Sequence, residues 1–98
     1  MINLERAEYA RARVDHAKRA YIEDLRKRLG NLITDEVRIA IKNRKYLVQI
    51  FDPRVNEIRE YPEEQAVIIE KLTKLGYSAA FLRNLGDDEA FYLEISWA

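Results

Sequence analysis

Ala90-Phe91-Tyr92-Leu93-Glu94-Ile95-Ser96-Trp97 decides how this 98-residue chain is read. Phe91, Leu93, Ile95 and Trp97 alternate with Tyr92, Glu94 and Ser96, so one face is apolar and the other polar. A period of two is the signature of a half-buried strand, which needs neighbouring strands and something to cover its apolar face. Working upstream, Tyr77–Arg83 reads as a second strand, joined to the first by the turn-rich Asn84-Leu85-Gly86-Asp87-Asp88-Glu89. The cover is a helix that starts at Pro62, carries Glu63 and Glu64 in its first turn, and runs to Leu75 with Gly76 as its stop. Its buried stripe is expected to be Ala66, Ile69, Leu72 and Leu75, widened by Val67 and Ile68. Tyr46–Phe51 reads as a third strand ended by Asp52-Pro53, and residues 54–60 as a charged loop or short edge segment.

The first half of the chain reads as helix. Asn3 is a good N-cap, Glu5 sits in the first turn and Gly30 follows as a C-terminal stop, giving a helix over residues 3–29. Asp15/Arg19, Glu23/Lys27 and Asp24/Arg28 are acid-first pairs at helical spacing. One stripe holds Leu4, Ala7, Ala10, Val14, Ala17, Tyr21, Leu25 and Leu29, and is expected to dock on the body. The opposite stripe holds Tyr9, Ala12, His16 and Ala20, and is expected to pair with another copy of the chain. Residues 32–45 fit both strand and helix spacing. A short second helix is favoured, because Thr34-Asp35-Glu36 makes a good start and Arg38, Lys42 and Lys45 then share one side. The order α-α-β-α-β-β predicts a single α+β domain over residues 1–98, with a three-stranded antiparallel sheet covered by helices on one face. Residues 1–30 form its oligomerising helix and residues 31–98 its body.

Charge splits the chain. Residues 1–45 carry twelve Lys/Arg against seven Asp/Glu, a balance of +5, and residues 46–98 carry five against ten, a balance of −5. A net charge of zero therefore hides a dipolar molecule. No Cys is present, which removes disulfides, thiolate metal sites and thiol nucleophiles. No apolar run approaches the ~20 residues of a membrane span, so a cytoplasmic protein without membrane contact is expected. The only histidine, His16, has Ala12, Arg13, Arg19 and Ala20 as helical neighbours, which is no catalytic or metal-binding set. Asp87-Asp88-Glu89 lacks the spaced oxygen ligands of a calcium loop and reads as a solvated turn. No motif for phosphate, nucleophile or zinc chemistry occurs, so no cofactor, metal or enzymatic activity is expected.

The candidate ligand site is the basic group Arg38, Lys42, Arg44 and Lys45, with Tyr46 beside it as a stacking ring. Arg forks onto phosphate or carboxylate and Lys adds point charge, so the expected ligand is a nucleotide-like anion or an acidic protein. Tyr92, on the polar side of its strand, is a second candidate for partner contact. Nucleic acid is a weaker expectation: the sequence pI is about 6.6, and the acidic half repels a phosphate backbone.

Ile39-Ala40-Ile41-Lys42-Asn43-Arg44-Lys45-Tyr46, then Leu72…Leu75-Gly76-Tyr77, then Ile95-Ser96-Trp97 resembles small accessory proteins of tailed bacteriophages. The resemblance spans roughly residues 36–97, with Asn43-Arg44 standing where such proteins carry a Gly. It implies a non-catalytic protein that inhibits or sequesters a host or defence component, either a protein or a nucleotide signal, in the host cytoplasm. A structural or assembly protein that stacks subunits through the long helix is the alternative.

Overall fold

The computed structural model describes residues 2–84 and 90–98. Its dominant element is a single helix, α1 (Ala7–Lys42, 36 residues). At 1.5 Å per residue it is about 54 Å long, and it gives the molecule its 65 × 33 × 19 Å outline. The expected stop at Gly30 is not one: the helix passes straight through, and the segment read as a short second helix is its last three turns. A glycine inside a helix costs only about 1 kcal/mol relative to Ala. Leu25, Leu29, Leu32, Ile33, Val37 and Ala40 continue one buried stripe across it, which offsets that cost. Thr34 Oγ1 also donates to the Gly30 carbonyl at 2.8 Å, bridging the two segments.

Both ends of α1 differ from expectation. Asn3 does not cap it; the helix begins after Arg6, which is extended and makes no side-chain cap. Residues 2–6 are exposed, so no burial supports an extra turn there. At the other end Arg44 adopts φ 61°, the left-handed conformation that normally falls to glycine. Its N–H donates to the Ile41 carbonyl, and the Lys45 N–H to the Ala40 carbonyl, both at 2.9 Å. This two-bond cap reverses the chain into β1 (Leu47–Ile50).

Asp52-Pro53 ends the strand by starting a helix, α2 (Pro53–Glu57), where a loop or edge segment was expected. Asp52 Oδ1 accepts from the Arg54 N–H at 2.9 Å, and Pro53 occupies the first helical position with no donor to lose. The arginine side chain also binds this carboxylate, holding it below the usual Asp range. Helix α3 (Pro62–Lys74) ends as read from sequence: Gly76 has φ 95°, and the Tyr77 N–H returns to the Leu72 carbonyl at 3.0 Å. Strands β2 (Ser78–Arg83) and β3 (Phe91–Ser96) follow.

The sheet is antiparallel with order β1-β3-β2. The most regularly alternating strand is thus the central one, with Leu47 opposite Ser96 on one side and Phe81 opposite Leu93 on the other. Phe91, Leu93 and Ile95 face inward with Ile50 onto Leu25, Leu29, Val55, Ile58 and Leu72, and Leu93 and Ile95 have no exposed surface. Trp97 packs partly buried at the margin, its ring edge-on to Tyr77 at 6.0 Å. The α+β class and three-stranded sheet are those the alternation predicts. In α3 only Leu72 is buried; Val67, Ile68 and Ile69 are half-buried, while Ala66 and Leu75 are exposed, against expectation. Leu75 is the residue that caps the C-terminal end of α3.

Candidate binding surfaces

The body reaches only as far up α1 as Tyr21 and Ile22. Beyond them, residues 7–20 are exposed apart from the half-buried Ala10, so this part of the helix stands free in solvent. The stripe expected to dock on the body does so only through Leu25 and Leu29. Its upper members, including Val14 at 52% exposure, remain uncovered, because a body this small cannot follow so long a helix. Tyr21 marks the edge of the contact, with its ring 6.2 Å from that of Tyr61. Tyr9, Ala12, His16 and Ala20 are gathered on one exposed face, as their spacing requires. Tyr9, Ala12 and His16 line a shallow depression with Glu5 and Arg13, whose side chains bond each other at 3.3 Å. The free half therefore exposes two apolar stripes and carries a small positive excess. Residues 7–20 hold Arg11, Arg13, Lys18 and Arg19 against Glu8 and Asp15.

The rest of the first half's basic excess lies lower, around the end of α1 nearest the sheet. Two of its cations are tied down. Arg26 forks onto Glu64 through Nε and Nη2 at 2.6 and 2.7 Å, clamping α1 to α3. This bond raises the Arg26 pKa and holds the Glu64 carboxyl below its ordinary range. Arg28 bonds Glu57 and Asp24, both at 2.8 Å, linking α1 to α2. Asp24/Arg28 is thus a real helical pair, while Asp15/Arg19 and Glu23/Lys27 close no bridge among the described residues. Arg38, Lys42, Arg44 and Lys45 are all exposed and have no salt bridge among the described residues. Arg38 and Lys42 are one turn apart on α1, Arg44 and Lys45 form its cap, and Tyr46 follows at 68% exposure. Sequence spacing and the cap bring these five residues to one end of the molecule.

Tyr92 is elsewhere. Four residues from Ser96 along β3, it lies about 13 Å from the Leu47 end of the sheet. Its ring stacks on Phe51 at 4.5 Å on the sheet's outer face, so it is half-buried by its own chain. It cannot act with the basic group on one small ligand. Glu94 on the same face accepts from Gln49 Nε2 at 3.1 Å. The acidic turn Asp87-Asp88-Glu89 lies outside the described residues. Among the described residues no His, Asp and Glu cluster is arranged to hold a metal, and no helix is long and apolar enough to cross a membrane.

One surface has no counterpart in the sequence reading. Between α1 and α3 runs a groove made of two adjoining hollows of about 300 and 180 Å³. Ile33, Thr34 and Leu72 belong to both hollows. Leu75 and Ile41, at 76% and 51% exposure, stand at its open end. Nothing in the periodicity of α1 or α3 marks this groove, because the apolar helix residues lining it also fit a core stripe. No family model, no curated protein and no solved structure matches the chain.

Proposed function

We propose that this chain is a non-catalytic binding protein that works as a homo-oligomer assembled through the free half of α1. One observation carries the reading: residues 7–20 stand clear of the body with two apolar stripes uncovered. An isolated helix of this length is marginal in water, and association buries the stripes that the body leaves open. Glu8 and Asp15 offset two of the four cations of residues 7–20, which leaves only a small net repulsion between two such helices. The bulk of the basic charge is left on the body end, where Arg38, Lys42, Arg44, Lys45 and Tyr46 face an anionic target. That the target is a host or defence component, and that the protein inhibits or sequesters it, rests on the resemblance to phage accessory proteins.

Light scattering on two variants tests the assembly. Ala12→Arg with Ala20→Arg charges one stripe and Val14→Arg the other, and all three positions are exposed, so folding is left intact. At least one variant should run at a lower mass than the unaltered protein. If both keep its mass, the interface is not on the free half of α1. A second reading, a subunit-stacking assembly protein, draws on the 65 Å outline and the opposed charges of the two halves. It predicts masses that grow with concentration without limit, whereas an inhibitor closes at a fixed number.

A further inference from the structure

We infer that the groove between α1 and α3 is a docking site for an acidic amphipathic helix of a partner protein. It is apolar: the largely buried Ile33, Val37 and Leu72 form its floor, and the exposed Ile41 of α1 and Leu75 at the end of α3 form its rim. The stretch of α1 that lines it, Arg26 to Ile41, is about 24 Å long, or just over four helical turns. That length receives apolar anchors at i, i+4 and i+7, the pattern by which a helix seats in a hydrophobic groove. The exposure of Leu75 and Ile41 is what such anchors would remove.

Charge selects the occupant. The charged residues lining the two hollows are Arg26, Arg38 and Lys71, all cations. Arg26 is neutralised by Glu64, which leaves Arg38 on one wall and Lys71 on the other. An acidic helix meets both, while a basic one is repelled. A second copy of this groove fits poorly, since face-to-face pairing sets Arg38 and Lys71 against their own counterparts. The site builds on the reading of the chain as a binding protein but not on its oligomeric state.

The test uses the full chain and a fluorescein-labelled peptide of roughly 18 residues, about five helical turns. Leu stands at i, i+4 and i+7 and Glu fills the exposed positions. Two controls carry Lys in place of Glu, or the same Leu residues scattered around the helix. Fluorescence anisotropy should show the acidic peptide binding roughly tenfold or more tighter than either control, a gap of about 1.4 kcal/mol or more. Leu75→Glu should weaken it by a similar factor with an unchanged melting temperature, because that side chain is already exposed. Should Leu75→Glu disturb folding, the double variant Arg38→Glu with Lys71→Glu decides, and should reverse the preference toward the Lys peptide. Equal binding of all three peptides, or no loss in these variants, overturns the assignment. So does a fall in oligomer mass caused by Leu75→Glu with peptide binding intact, which would make the groove a self-interface. Val14→Arg should leave peptide binding unchanged, which separates a failure here from a failure of the oligomer reading.

Discussion

Changing Gly30 and Gly76 to Ala should move stability in opposite directions, although the new methyl meets no atom within 4 Å at either site. Gly30 lies inside α1, where Ala is the better helix former by about 0.8–1 kcal/mol. Gly76 has φ 95°, where a Cβ collides with its own backbone at a cost of roughly 1–2 kcal/mol. For a domain of this size 1 kcal/mol shifts the melting temperature by about 4–8 °C. Gly30→Ala should therefore raise it by several degrees, and Gly76→Ala should lower it by at least as much. Thermal unfolding followed by circular dichroism at 222 nm reads both, and Gly30→Ala should show no loss of helical signal. A lowered melting temperature for Gly30→Ala would mean the residue is a left-handed stop, α1 is two helices, and the geometry of the groove is wrong.

The remaining expectations are more local. Leu93→Ala should cost roughly 2–5 kcal/mol in chemical denaturation, since the side chain is completely buried. Glu94→Ala, which loses only the surface bond from Gln49, should cost well under 1 kcal/mol, and equal losses would overturn the strand register. Arg44→Gly should stabilise by up to about 1 kcal/mol, because the roughly 1–2 kcal/mol cost of a side chain in the left-handed region outweighs the extra backbone entropy that glycine loses on folding; a destabilised protein would show that the cap is not as described. Glu64 is held below its ordinary pKa by Arg26, so the clamp contributes fully above the free glutamate value of ~4.3 and is lost as the pH falls through the lowered one. Glu64→Gln should thus lose stability at neutral pH and show a smaller further loss on acidification than the unaltered protein; parallel acid curves would refute the clamp.

The last strand is readable because it carries a period-two pattern that a one-sided sheet explains. The other two do not alternate and are legible from their apolar content and the turn residues that bound them. Phe91, Leu93 and Ile95 are in the core for the reason their alternation gives. Helix ends were harder. Gly30 and Gly76 present the same local signal, and what separates them is tertiary: Leu32, Ile33, Val37 and Ala40 continue a buried stripe beyond the first, while a strand follows the second. Asp52-Pro53 was read as a strand stop when it is also a helix start, since one dipeptide serves both. Tyr46 and its basic neighbours were legible as a group because the chain keeps them close. Tyr92 looked free because the alternation placed it on the polar face, and only the pairing of β1 with β3 brings Phe51 onto its ring. The groove left no trace, since a stripe in sequence says which side chains are apolar but not which ones run past the body that should cover them.

Sedimentation velocity of the unaltered protein, from low to high micromolar concentration, tests the central claim of self-association through α1. Two arms bracket the answer, one at physiological ionic strength and one at high salt. The expected result is a species of at least twice the 11.6 kDa chain mass that persists in high salt, because the contacts it rests on are apolar. A single species of 11.6 kDa throughout the range contradicts it.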